Sequence, residues 1–358
     1  MLTAGCSGQP SDESDRADDT GSAEPSPSAT PSTTPTQAVA GAKACLLLIS
    51  GGFDDRVLSQ SASSGLDRAA GELGIKTAVV TADEAADPAG DLDNLVEQGC
   101  DVVTTVSYLL GDATWSAARK HADVDFSIVD FSYDRPPENL KGLLFDAAAP
   151  AFLAGYLAAG VTETGVIGTF GGAQIPGVTV YMDGFDAGVA QYNDDNGTEI
   201  DLLGWDRETQ EGTFLNDFES RTQGQSVAAE MITQGADIIF PVAEAAGLGA
   251  LRAVRDAGVR AVWAETDGCV SVSAYCDVML TSAVKGIDVA VLESIRDSVT
   301  GGFDNSPYLG TLANGGVGLA PYHQQQDAVP TELDARIDEL EQQLISGDYE
   351  IEFEVEVD

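Results

Sequence analysis

Two α/β lobes, each a parallel sheet covered on both faces by helices, are what this sequence predicts, on three observations. Short apolar runs rich in β-branched and aromatic residues recur along the chain: CLLLIS, KTAVVT, DVVTTV, FSIVDF, GLLF, VIGTFGG, IDLLGW, DIIFPV and RAVWAE. Between them lie segments with apolar residues at helical spacing that stop near a glycine, such as LDRAAGELG, AAEMITQG and GALRAVRDAG. Alternation of this kind needs crossover connections and so builds parallel sheets. The runs are also too many for one ordinary doubly wound sheet, and the pattern restarts near Val166, which divides them between two lobes.

The chain of 358 residues is 43% hydrophobic and 7% aromatic, enough for one large core or two ordinary ones. Its formal net charge of -42, from 59 acidic against 17 basic residues, repels nucleic acid and anionic lipid headgroups. Polyanionic partners are therefore excluded, and most of the carboxylates are read as a solvated surface. No apolar run approaches the roughly 20 residues that cross a bilayer.

In chain order, the first segment is MLTAGCSG, which resembles the end of a bacterial lipoprotein signal, where small residues precede a cysteine that is lipidated after cleavage. Cys6 would be that cysteine. The segment departs from the pattern in having Thr3 three places before it, with the leucine displaced to Leu2, and in lacking the basic and apolar parts of a signal, which places the expected start upstream. From Ser7 to Ala42 the chain is mostly Ser, Thr, Pro, Ala, Gly and Asp without an aromatic residue, as in SAEPSPSATPSTTPTQ, and is expected not to bury enough surface to offset the entropy of ordering. Residues 1–42 are thus expected to be a signal remnant and a tether.

Four further cysteines suit an oxidising compartment and allow three pairings. Cys45–Cys100 and Cys269–Cys276 are expected: Cys45 and Cys100 open strands that would be parallel neighbours, and the second pair closes the short loop CVSVSAYC. No CxxC occurs and the only histidines are His121 and His323, so no metal site is expected.

In sheets of this kind ligands sit beyond the carboxyl ends of the strands, here the loops after Ser50, Val106, Val129, Phe170, Trp205, Val242 and Ala264. The first loop, GGFDD, is too short for a Walker A loop and lacks its lysine and the G-x-G-x-x-G spacing. It offers carboxylates where a phosphate site offers amides and cations, so a phosphorylated ligand is disfavoured. Neither histidine falls in these loops, which leaves little material for a Ser-His-Asp or Cys-His centre. The expectation is a binding protein without enzymatic activity and without a cofactor.

Four stretches together carry a family resemblance: GGFDDRVLSQSASSGLDRAAGELG, FLAGYLAAGVTETGVIGTFGGAQIPGVTVYMDGFDAGV, EGTFLNDFESRTQGQSVAAEMITQGADIIFPVAEAAGLG and LTSAVKGIDVAV. In order and spacing they resemble the basic membrane protein family of bacterial substrate-binding lipoproteins, also called purine nucleoside receptor A-like, from Ala44 to the end of the chain. The resemblance implies a type I periplasmic-binding-protein fold with two doubly wound lobes joined by a three-crossing hinge. The lobes would close on a nucleoside-like ligand and deliver it to an ABC permease. It also implies an extracytoplasmic monomer that touches the membrane through its lipid anchor alone. The lobes are expected at 43–146 plus 284–303 and at 147–283 plus 304–358.

Site residues carry over position by position. Asp54 and Asp55 match the opening aspartate motif, and Asp130 matches an aspartate that reaches the base. Tyr181 stands where an aromatic ring would stack on the base, and Gly247 where backbone would approach the ribose. Glu265 and Asp267 fall at the ribose-binding aspartates, and Lys285 at a lysine that donates to ribose. Leu58 and Ser59 replace a phenylalanine and an asparagine, with Gln60 as a substitute for the lost amide; Ala149 replaces an acidic residue and Gly268 a glutamine. Purine specificity therefore does not follow, and a pyrimidine or modified nucleoside or another small polar solute is open. A sensory protein of the same fold, delivering to no permease, is the alternative.

Overall fold

The computed structural model describes residues 40–50, 53–83 and 87–351; Cys6, the expected tether and the end of the acidic tail lie outside the described residues. The first half alternates as predicted: β1 (Lys43–Ser50), α1 (Phe53–Leu73), β2 (Lys76–Asp83), α2 (Pro88–Glu97), β3 (Val102–Val106), α3 (Gly111–Lys120), β4 (Asp125–Val129) and β5 (Leu140–Phe145). The chain then builds α4 (Ala148–Val161), β6 (Val166–Gly171), α5 (Pro176–Asn196), β7 (Asp201–Leu203), β8 (Trp205–Asp206) and β9 (Glu211–Gly212). There follow α6 (Arg221–Thr233), β10 (Ile238–Val242), α7 (Glu244–Ala257), β11 (Arg260–Glu265), α8 (Gly268–Ser271) and β12 (Met279–Lys285). The last elements are α9 (Ile287–Thr300), β13 (Tyr308–Gly310), β14 (Val317–Leu319) and α10 (Thr331–Ser346).

Two six-stranded sheets result, in the orders β13-β5-β4-β3-β1-β2 and β14-β12-β11-β10-β6-β7. The first is parallel throughout; in the second only β14 runs against its neighbour β12. The first sheet is apolar on both faces because both are covered: Ala44, Leu46 and Leu48 of β1 pack with α1 and α9, while Cys45, Leu47 and Ile49 face Leu92, Leu95 and Ala117 of α2 and α3. In the second lobe α4 is buried almost all round, and Gly184 and Gly188 of α5 let the backbones of the two helices meet, their α-carbons lying against Ala148 and Phe152. Much of the FLAG and DGFDAG signature is therefore packing.

Three crossings join the lobes: Phe145 to Ala148, Lys285 to Ile287, and Gly310 to Val317. Backbone bonds tie them, Asp146 N–H to the Gly310 carbonyl at 2.9 Å and Gly286 N–H to the Gly316 carbonyl at 2.8 Å. The expected boundaries shift accordingly. Residues 308–310 pair with β5 in the first sheet, and Val284 and Lys285 belong to β12 in the second, because the third crossing comes later than the sequence signalled. The hinge strands β13 and β14 are three residues each and were not expected, and IDLLGW divides into β7 and the start of a β8–β9 hairpin. Both expected cysteine pairs stand at disulfide distance, with Cα–Cα separations of 6.0 Å for Cys45–Cys100 and 4.5 Å for Cys269–Cys276.

Candidate ligand-binding cleft

The carboxyl ends of the strands in both lobes converge on one region. Four of the described non-glycine residues with positive φ sit there: Ser107 after β3 (128°), Asp130 after β4 (55°), Glu244 after β10 (48°) and Glu265 at the end of β11 (68°). Such backbone is costly for residues with a side chain and collects at functional sites. Ser107 and Glu244 were not expected from the sequence, since φ leaves no mark in composition.

The second lobe contributes a cavity of about 460 Å³, its open mouth included, walled by Phe218, Pro241, Val242, Trp263 and the carboxylates of Glu244 and Glu265. Among the described residues, no basic side chain lines it. Phe218 is seated by the GG pair that ends β6, its ring lying where a side chain at Gly172 would be. Trp263 is seated by Gly247: a β-carbon there would stand 3.1 Å from the indole. Across the cleft, α1 approaches α7, the helix that Glu244 begins.

Lys285 lies between the lobes. Its ammonium donates to Asp130 Oδ2 of the first lobe at 3.0 Å and to Glu265 Oε1 of the second at 3.3 Å, with its side chain only 7% exposed. Burial alone would lower the pKa of this lysine, but Asp130, then Tyr181 and Glu265, outweigh it and hold the ammonium well above the ordinary lysine value.

The expected site residues divide. Asp130, Glu265 and Lys285 meet at hydrogen-bonding distance. Asp54 and Asp55 belong to the first turn of α1 and not to the loop before it; their side chains lie outside the described residues. Ser59 and Gln60 stand in the next turn, half-buried and exposed respectively, while Leu58 packs into the first-lobe core. Tyr181 offers no face for stacking: it is wholly buried, edge-on to Phe240, with Lys285 Nζ 5.6 Å from its ring centre. Gly247 makes room for Trp263 and not for a ligand, and its N–H bonds the Ala243 carbonyl at 3.2 Å. Asp267 caps α8 through the Cys269 N–H at 2.9 Å and meets His323 Nε2 at 2.8 Å, so it is taken by the loop itself. Half-buried Phe218 escaped the sequence reading because an aromatic residue beside an apolar strand reads as core, and Trp263, 4% exposed and packed in the second-lobe core, meets the cavity only at its edge.

Residues 42–354 match the family model described as ABC transporter substrate-binding protein PnrA-like. The chain is 28% identical over 305 residues to basic membrane protein A1 of Borrelia garinii, covering 84% of this chain and 85% of that one. It is 26% identical over 321 residues to the CD4+ T-cell-stimulating antigen of Listeria monocytogenes, again covering 84% and 85%. Among solved structures, an ABC transporter solute-binding protein of Aeropyrum pernix superposes with a TM-score of 0.72 at 23% identity, over 88% of this chain and 94% of that one. A protein of Bacillus halodurans described as a transcriptional activator of the comK gene reaches 0.72 at 17% identity, over 86% and 99%. The architecture is thus the periplasmic-binding-protein fold. The chain belongs to the PnrA-like family of ABC transporter substrate-binding proteins, an extracytoplasmic family.

Proposed function

We propose that this protein captures a nucleoside-like ligand between its two lobes and hands it to an ABC permease, held at the outer face of the membrane by a lipid on Cys6. The observation that carries the reading is the cavity in which two aromatic rings, Phe218 and Trp263, stand beside Glu244 and Glu265, with Asp130 and Lys285 adjoining from the hinge side. A nucleoside brings a flat base for the rings and hydroxyl and amine donors for the carboxylates. In this reading the protein needs no cofactor or metal and acts as a monomer that binds its ligand without transforming it.

A thermal-shift screen of the purified full chain against purine and pyrimidine nucleosides, nucleobases, sugars and amino acids tests this. Ligand at about 100 times its dissociation constant stabilises the folded state by about 2.7 kcal/mol, an easily measured shift. A shift with nucleosides supports the reading; a shift with sugars alone moves the ligand class and leaves the binding function. Free base or sugar released on incubation would instead make it a hydrolase. The anchor is tested by mass spectrometry of the N-terminal peptide from native membranes, where an unmodified Cys6 would sink it.

A second reading is a sensory binding protein that serves no permease. The shared fold of the comK activator motivates it. Permease and ATPase genes beside this one would argue for transport.

A further inference from the structure

The loop after β11 collects groups that the cavity does not use. Asp267 caps α8, Cys269 stands in its first turn, Cys276 ends the same loop, and His323 reaches in from the single turn His323–Ala328 that follows β14. A carboxylate oxygen of Asp267, the sulfur of Cys269 and a ring nitrogen of His323 lie within 4.8 Å of one another, and Cys276 is bonded to Cys269. Asp267 and Cys269 are half-buried and His323 is exposed, and none of the four residues lines the cavity. Asp267 Oδ2 meets His323 Nε2 at 2.8 Å, while its other oxygen accepts the Cys269 N–H at 2.9 Å, which fixes the direction of the carboxylate. Neither a CxxC nor a pair of neighbouring histidines marks the place in the sequence, because the histidine arrives from a separate turn.

We propose that Asp267, Cys269, Cys276 and His323 form a redox-gated zinc site, barred to metal while the two cysteines are joined and able to hold one Zn2+ once they are reduced. The thiolate, not the disulfide sulfur, is the metal ligand, so the oxidised pair offers no strong donor. A dithiol reductant supplies two electrons: it is oxidised to its own disulfide, the Cys269–Cys276 bond breaks, and two thiols form. Zinc then displaces the two thiol protons and takes both thiolates, the imidazole of His323 and the carboxylate of Asp267, a four-ligand set of the types that tetrahedral zinc accepts. Bonds of about 2.0 to 2.3 Å place the ligand atoms of such a tetrahedron about 3.3 to 3.8 Å apart, so groups already within 4.8 Å reach the ion by side-chain movement. The other cysteine pair is poorly placed for this exchange: Cys45 and Cys100 are 1% and 3% exposed in the first-lobe core, so a reductant reaches the half-buried Cys269 first.

The test titrates the full chain with Co2+ and then Zn2+, before and after treatment with a phosphine reductant that is removed under anaerobic conditions. The reduced protein is expected to take up one equivalent of cobalt with the charge-transfer and intense ligand-field absorption of a tetrahedral thiolate site, and to lose both bands when zinc displaces it. The oxidised protein should show neither band. His323→Ala, at an exposed position, should weaken zinc binding at least tenfold in competition with a chromophoric chelator, and Cys269→Ser combined with Cys276→Ser should abolish the cobalt bands. Melting curves of each variant guard against a folding defect, and the comparison of oxidised with reduced wild type needs no variant. Absence of the bands in the reduced protein, equal binding by the oxidised protein, unchanged affinity in His323→Ala, or bands that survive in the double serine variant would overturn the site. None of these measurements involves a nucleoside, so they decide the metal site whether or not the proposed function holds.

Discussion

At the scale of single residues, the cleft rests on a few side chains whose neighbours fix their roles. Phe218 and the edge of buried Trp263 line the cavity, whereas Leu58 is sunk in the first-lobe core. Truncating either ring to alanine should weaken ligand binding by about 1 to 3 kcal/mol, roughly 5- to 150-fold, in isothermal titration. Tyr181→Phe, deep under Lys285, should change affinity far less, and a loss as large as that of Trp263→Ala would return Tyr181 to the ligand. Tyr308 makes a different prediction. Its hydroxyl is buried beside Gly316 without a hydrogen-bond partner, so Tyr308→Phe should be neutral or stabilise by about 1 kcal/mol in chemical denaturation. Motif spacing in the sequence pointed to Asp130, Glu265 and Lys285, and the structure brings these three within hydrogen-bonding distance. The sequence could not disclose Ser107 and Glu244, whose significance lies in backbone angle, nor that Asp267 turns aside to His323.

At the scale of elements, the lobes were legible and the hinge was not, for a physical reason. A strand covered on both faces writes itself as a continuous apolar run, as CLLLIS does, whereas β13 and β14 are three-residue pieces whose partners are backbone groups and leave no hydrophobic period. Close approach governs the hinge: a β-carbon on Gly286 would stand 2.6 Å from the Gly315 carbonyl oxygen. Gly286→Ala should therefore cost about 1 to 3 kcal/mol and shift the balance of open and closed lobes, measured by melting and by the interlobe distance. The Cys45–Cys100 pair ties β1 to the start of its neighbour β3 across 55 positions. Cys100→Ser should lower stability by about 2 to 4 kcal/mol, and peptide mapping without reductant should find the pair linked.

For the whole molecule, charge is the dominant fact. Burial lifts the carboxyls of Asp125, Asp146, Asp183 and Asp186 above their usual range, against the hydrogen bonds each accepts. A carboxyl raised in this way holds its proton in the folded state where the unfolded chain has lost it, so stability falls as pH rises through that interval and returns on acidification. Relief of self-repulsion in a chain of net charge -42 acts in the same direction. The melting temperature should accordingly rise as the pH falls from neutral toward the ordinary carboxylate range, about pH 4. It should fall again in stronger acid, because Asp93, bound by His121 and Lys120, is held below the usual range, and so, against its own burial, is Asp195 by Arg336 and Tyr156. Calorimetry across that range decides it, and a steady fall from pH 8 downward would contradict it.

The triple crossing also bears on how the molecule is made. Because α9 and β13 complete the first sheet after the second lobe has been written, the amino-terminal lobe is missing a covering helix and an edge strand until Gly310 is available. The first lobe is therefore unable to complete its sheet until the carboxyl-terminal part of the chain has been made. Synthesis order and spatial order are out of step here, so a released fragment ending before Tyr308 should remain sensitive to protease throughout β1 to β5, and the full chain should not.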